Sequence, residues 1–229
     1  YSIIINGYIF TQSKIMSHNT NGRIVSIYKS RKTMLELLER QGYQCDEYEL
    51  FSMNEIDAMF KNSQLDMLVT HTVTNKKVYV KYHCSLKQTV KQIRPQNLDD
   101  IIEDLYVMDN VLTKEDDLII IIEDEPNDTI VNKMRYIFDH DGVFVVIHNI
   151  KRLQFNILNH TRVPEMNILS SDDVVSFKKT FNIKDNSQIP EISRFDPQAL
   201  VLCMRPGQIC KINRHSTVAM DYIYYRACV

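Results

Sequence analysis

The sequence predicts an α/β N-terminal domain followed by a small α+β C-terminal domain, and three observations predict it. Short apolar strand runs alternate with amphipathic helical repeats as far as about residue 157. The pattern then changes across residues 155–164. Beyond that point Pro206-Gly207 separates an apolar stretch, 200–204, from an alternating one, 209–213, as a turn ahead of a half-buried strand does.

Element by element, Met16, followed by Ser17-His18-Asn19-Thr20, reads as an initiator. Residues 1–15 are therefore expected outside the fold, within an N-terminal extension over 1–23. Ile27, Met34, Leu37 and Leu38 repeat at helical spacing up to Gln41, and Gly42 stops that helix. Asn54 is expected to cap a short helix reaching Phe60, with Glu55 just inside. Strands are expected over 66–73 and 76–82, around Thr74-Asn75. A second amphipathic helix covers 97–108, with Leu98, Ile101, Ile102 and Leu105 on one face. A strand over 118–122, a helix over 128–139 and a strand over 143–148 complete the first domain, 24–157. The second, 158–229, holds a helix at about 171–181, short strands, and a last strand over 222–229.

Composition narrows the function classes. With 27 basic and 29 acidic residues the net charge is −2, so the chain is neither a polycation nor a disordered acid. The apolar runs 118–122 and 143–147 are too short to span a bilayer, and no membrane association is expected. Residues 1–15 lack a positive n-region and a small-residue cleavage site, so no signal peptide is expected. The cysteines at 45, 84, 203, 210 and 228 form no CxxC pair and read as reduced, partly buried thiols rather than zinc ligands. There is no glycine-rich phosphate loop, no HExxH and no G-x-S-x-G, so no cofactor and no metal are expected.

Charge is unevenly placed. Residues 71–98 hold no acid but carry Lys76, Lys77, Lys81, Lys87, Lys91 and Arg94, whereas Lys114 is the one basic residue of 99–128. Two readings stay open. These six form a nucleic-acid-binding set that touches phosphates without reading bases, or they are a solvated face balanced by the neighbouring acidic helix. That helix would repel DNA and is expected to face solvent or protein. Asp66 with the strand Val78-Tyr79-Val80-Lys81 is similar to part of a restriction-type nuclease core. Such a core needs two carboxylates for Mg²⁺ and a lysine beside the attacking water, and here Tyr79 occupies the second acid's place. Asp139-His140-Asp141-Gly142 reads as a helix-ending turn, and His71, His83, His148 and His160 are dispersed.

The C-terminal residues carry the most specific signal. Asp196, Pro197, Ala199, Arg205, Gly207, Lys211, Ile212, Arg214, Ser216, Ala219, Tyr222, Tyr225 and Arg226 follow one spaced pattern. This run resembles the assembly domain of the small shared subunit of multisubunit RNA polymerases, which archaea carry as a short chain and eukaryotes as the fifth common subunit. Arg205 stands for the pattern's lysine, and Pro206 before the glycine is like the archaeal form. Cys203 and Met220 stand where glycines are usual, Thr217-Val218 replace Glu-Thr, and Met166 stands where histidine is frequent. A thinner resemblance to the eukaryotic jaw domain rests on Arg31-Lys32-Thr33-Met34, Arg40-Gln41-Gly42-Tyr43, Tyr79-Val80 and Glu125-Pro126.

The resemblance implies an α/β jaw domain ahead of an α+β assembly domain. It implies a non-catalytic polymerase subunit in a hetero-oligomer, docked on the largest subunit and touching other subunits. The jaw would lie near downstream duplex DNA, with catalysis and Mg²⁺ in the two large subunits. The expected partner-binding residues are Asp196, Pro197, Arg205, Pro206, Gly207, Lys211, Arg214, Ser216, Tyr222, Tyr225 and Arg226. The protein is expected in the nucleus if cellular, and in a cytoplasmic factory or virion if a large DNA virus encodes it. The competing expectations are a free-standing nuclease-like or DNA-binding protein and a stand-alone transcription cofactor.

Overall fold

The computed structural model describes residues 22–84, 92–218 and 220–229, and only the backbone elements before residue 22. Lys87, Lys91 and Ala219, and the side chains of the expected extension up to residue 21, lie outside the described residues. The chain starts with an antiparallel pair, β1 (Ile3–Ile5) and β2 (Tyr8–Phe10). Helix α1 (Gln12–Arg40) begins well ahead of the expected start at Ile27 and ends as expected, with Gly42 in the left-handed region at φ 91°. Next come α2 (Asp46–Glu49) and α3 (Met53–Lys61). The cap of α3 is Ser52, not Asn54. Its hydroxyl accepts from the Glu55 N–H while the Glu55 carboxylate accepts from the Ser52 N–H at 2.7 Å, a reciprocal box that satisfies two otherwise orphaned donors.

A four-stranded mixed sheet organises this half. Strand β3 (Met67–Thr70) runs antiparallel to β4 (Lys77–His83). Helix α4 (Pro95–Ile102) is followed by a π-helical segment, Glu103–Met108, where one regular helix over 97–108 was expected. Then come β5 (Asp117–Ile122), α5 (Asp128–Asp141) and β6 (Phe144–Asn149), with β4, β5 and β6 parallel. Gly142 closes α5 at φ 71°, so the Asp139–Gly142 stretch is the helix-ending turn its sequence suggests.

Every residue of β5 and β6 is buried, which is why their sequences read as continuous apolar runs. The pleat sends alternate side chains to opposite layers. Ile119, Ile121, Phe144 and Val146 pack with Ile27, Met34 and Leu38 of α1. Leu118, Ile120, Ile122, Val145 and Ile147 pack with Leu98 and Ile101 of α4 and Ile130, Met134 and Ile137 of α5.

The second sheet is smaller. Strand β7 (Glu165–Ile168), helix α6 (Ser171–Thr180), strand β8 (Glu191–Ile192), helix α7 (Pro197–Val201) and strands β9 (Ile209–Ser216) and β10 (Met220–Cys228) follow in turn. The spatial order is β7-β9-β10-β8, with β8 parallel to β10 and the other pairs antiparallel. Met166, Cys210, Ile212 and Cys228 pack with Ala199 and Met204, while Ile209 and Ala227 pack with Phe177 and Ile189.

The two sheets are joined through α7. Val201 and Cys203 belong to the same apolar cluster as α1. The Gln41 side-chain amide donates to the Val201 carbonyl at 2.8 Å, and the buried His148 ring bonds the Leu200 backbone.

Burial lowers the His148 pKa to about 4 from an ordinary 6.5. The folded chain therefore stays neutral there while the unfolded chain takes up a proton. Stability is intact above pH 6.5 and falls as pH drops through the window down to about 4, by about 3 kcal/mol in all. Urea midpoints measured from pH 7 to 4.5 should show this decline, and His148→Asn should remove most of it.

Candidate functional site

The residues with the most specific sequence pattern lie on α7, the turn after it and the β9–β10 ribbon. Asp196 caps α7, its carboxylate accepting from the Gln198 N–H at 2.9 Å, and Pro197 takes the first helical position, where no N–H is needed. After α7, Gly207 adopts φ 89° and donates to the Cys228 carbonyl at 2.9 Å, which fastens the turn to the end of β10. Cys203 and Met220, where the resemblance puts glycines, both hold left-handed conformations, at φ 49° and 55°.

Arg205 leaves this turn toward the first sheet. Its Nη2 and Nε donate to Asp117 Oδ1 at 2.7 and 3.1 Å, and Nη2 also donates to the carbonyls of Glu115 and Asp116. Asp117 is 2 % exposed at its side chain and also pairs with Lys76. Asp116 beside it accepts from the Lys77 and Thr113 N–H groups and the Thr113 hydroxyl, and the backbone bonds hold its carboxyl below the usual range against the opposing effect of burial. Arg194, which no sequence motif marks, is 5 % exposed. Its guanidinium donates to the Val145 carbonyl at 3.1 Å and lies over the rings of Phe138, Phe144 and Phe195. Burial lowers its pKa.

The ribbon is the outward part. Arg214 and Arg226 lie over the Tyr224 ring, 4.8 and 5.2 Å from its centroid, and Arg226 also donates to the Glu191 carbonyl. The family pattern marks Tyr222 and Tyr225 but not Tyr224 beside them, and nothing in the local sequence distinguishes Tyr224 from a packing residue. The Tyr225 ring lies tilted against Phe177, centroids 4.2 Å apart, and packs half-buried against the core of the second sheet. Tyr222, Ile223, Met220 and Val218 are exposed. Lys211 is half-buried, and the Ser216 hydroxyl accepts from the Val218 N–H in the turn. The expected partner set thus splits: Asp196, Pro197, Pro206 and Gly207 shape the turn and helix entry, Arg205 faces inward, and Arg214 and Tyr222 face out.

The basic set also divides. Lys77, Tyr79 and Lys81 share one face of β4. Lys76 pairs with Asp117 and Lys81 with Asp66 at 3.5 Å. The balancing acids therefore come from Asp66 and from the start of β5, not from the acidic helix, whose Asp99 pairs with Lys133 of α5 at 2.9 Å. The Lys77 ammonium reaches the Val111 carbonyl, and Arg94 sits ahead of α4. Asp66 is fully engaged, accepting from the Tyr79 hydroxyl at 3.1 Å and the Tyr82 N–H at 2.9 Å besides Lys81. A nuclease-type metal pair is incompatible with that arrangement, because Tyr79 donates where a second carboxylate would have to ligate. Among the described residues no three His, Cys, Asp or Glu side chains form a metal-holding group. All five cysteines are free thiols, and burial raises Cys45 to about 11 and Cys84 to about 12.

Comparisons with known proteins match the same region. The family described as RNA polymerase Rpb5, C-terminal domain, matches residues 155–228. The DNA-directed RNA polymerase subunit Rpo5 of Thermococcus kodakarensis is 40 % identical over 76 residues, 33 % of this chain and 92 % of that protein. Subunit Rpo5 of Methanococcoides burtonii is 32 % identical over 73 residues, 92 % of its length. The DNA-directed RNA polymerases I, II, and III subunit RPABC1 of Caenorhabditis elegans is 38 % identical over 77 residues, 34 % of this chain and 36 % of that protein.

Arg205→Ala leaves Asp117 buried with Lys76 alone, and should lower the unfolding free energy by about 2–4 kcal/mol in urea titrations. Arg214→Ala should stay within about 0.5 kcal/mol of the parent. Met220 is exposed in a left-handed conformation that costs an L-residue about 1 kcal/mol. Met220→Gly should therefore raise the melting temperature by a few degrees. Cys203→Gly should gain less, because it also removes a buried side chain.

Proposed function

Because the chain belongs to the RNA polymerase Rpb5 C-terminal domain family, we propose that it is a non-catalytic subunit of a DNA-directed RNA polymerase. The observation that carries this reading is the near-complete coverage of the archaeal Rpo5 subunits by one contiguous third of this chain. The engaged Asp66 carboxylate supports a role without catalysis in this chain, since a free-standing nuclease would need it for metal.

The C-terminal sheet docks on the largest subunit, and other polymerase subunits complete a hetero-oligomer. The outward ribbon supports this docking. Tyr222 supplies amphipathic contact area and Arg214 a guanidinium with no hydrogen-bond or ion-pair partner among the described residues. The α/β half, residues 24–157, forms part of the lower jaw beside downstream duplex DNA, with 158–229 as the assembly domain. Phosphate contact there is peripheral and falls to Lys77 and Arg94 among the described residues, because Lys76 and Lys81 already neutralise carboxylates. No described helix is long and apolar enough to cross a membrane. The protein works where its polymerase does: in the nucleus of a cell, or in a cytoplasmic factory or virion if a large DNA virus encodes it.

Affinity purification of the tagged chain from its native source, with mass spectrometry and a promoter-independent transcription assay, tests the proposal. Two very large subunits in stoichiometric amounts, with RNA synthesis, are expected. Recovery of the chain alone, or DNA cleavage by the recombinant monomer in Mg²⁺, overturns it. Arg214→Glu should lower recovery of the largest subunit at least tenfold while leaving the melting temperature of the isolated chain unchanged.

A further inference from the structure

The β9–β10 ribbon carries an unpaired strand edge. Strand β10 pairs with β9 over Met220–Ala227, but its opposite side meets β8 only at Ala227 and Cys228. The hydrogen bonds fix which peptide groups face that side. The Cys228 N–H donates toward β9, to the Gln208 carbonyl, whereas the N–H groups of Ala227 and Val229 donate toward β8, to Pro190 and Ile192. By strand alternation the N–H and C=O of Asp221, Ile223 and Tyr225 also face away from β9. None of these groups has a hydrogen-bond partner among the described residues. The free stretch is about 17 Å long at about 3.4 Å per residue.

Its side chains are those of a covered strand. Met220 and Ile223 are 69 % and 52 % exposed, and Tyr222 is exposed beside them. The edge of β3 in the first sheet shows the contrast. There the Tyr48 hydroxyl both donates to the Leu68 carbonyl and accepts from the Leu68 N–H, and the Gln44 N–H fills the Thr70 carbonyl. An open, apolar edge templates another strand unless something covers it.

We propose that this edge is completed by an extended segment of another polymerase subunit, added beside β10 in line with β8. That segment sets apolar side chains beside Tyr222 on one face and Ile223 on the other, and on the Tyr222 face it carries a carboxylate for the guanidiniums over Tyr224. The charge of the ribbon determines this chemistry: its two strands carry Lys211, Arg214, His215 and Arg226 against one acid, Asp221, which is paired with His215, and Arg214 and Arg226 lie on the face away from that acid. A second copy of this chain would bring one basic ribbon up to another, so the charge selects an acidic heterologous strand. The identity of the partner rests on the subunit reading; the mode of pairing rests on the edge.

Hydrogen exchange read residue by residue, on the free full-length chain and on polymerase purified through it, tests the pairing. The amides of Asp221, Ile223 and Tyr225 should exchange at least tenfold more slowly in the assembly, while those of Tyr222 and Tyr224, already bonded to β9, change little. Ile223→Pro removes an outward N–H without touching the β9 ladder and should recover less than a tenth of the parent's polymerase, whereas Ile223→Ser, which keeps the N–H, recovers more than the proline variant. Unchanged exchange in an intact polymerase overturns strand addition and leaves the subunit reading standing. A parent chain that recovers no polymerase overturns the subunit reading. Concentration-dependent protection of the free chain, with a dimer in sedimentation, assigns the edge to a second copy and overturns the heterologous partner.

Discussion

A carboxylate with 2 % of its surface in water has to be neutralised where it stands, and Asp117 is neutralised by two cations from distant parts of the chain. Lys76 comes from the turn before β4 and Arg205 from the turn before β9. One side chain at the start of β5 thus joins a hairpin of the first sheet to the turn that orders the second. The fork of Arg205 does more than pair charge, since it also satisfies the Glu115 and Asp116 carbonyls at a strand start. Lysine, which the family pattern favours at this place, has no planar fork and would leave one of those carbonyls short.

The second constraint is the edge of β6, the last strand of the first sheet and yet buried at every residue. Arg194 takes the Val145 carbonyl into its guanidinium, three aromatic rings cover the arginine, and α7 lies alongside, its Leu200 backbone bonded to His148 of β6. The C-terminal segment therefore serves as the cover that the parallel edge of this mixed sheet needs. This explains why α7 shares a core with α1 although the two are separated by most of the sequence.

Local pattern makes the strands β5 and β6, the helix α5 and the stops at Gly42 and Gly142 legible, because each depends on neighbours within a few residues. Ser52 as the cap of α3 is legible too, in the Ser-x-x-Glu spacing, although Asn54 two residues on offers an equally good capping side chain. The left-handed backbone at Cys203 and Met220 is signalled by the glycines usual there: the chain keeps the conformation and tolerates the strain. What local pattern does not carry is the destination of charge. Arg205 meets an acid 88 positions away, and Lys76 one 41 positions away. Arg194 sits in no motif at all, and nothing near it in sequence announces the carbonyl it caps.

This non-local pairing changes what a family pattern means residue by residue. In the Thermococcus relative, 76 residues make up 92 % of the protein, so no sheet like the first one here fits in what remains. In this chain the cation at position 205 faces the buried acid of β5. Here the first sheet claims that cation and the cation–carbonyl contacts around it. Arg214 is different: it stands on the ribbon with only the Tyr224 ring beneath it and faces the same surroundings whether or not the first sheet is present. The ribbon therefore presents its side chains independently of the first sheet, whereas at the turn the first sheet supplies Arg205 with a partner inside the chain.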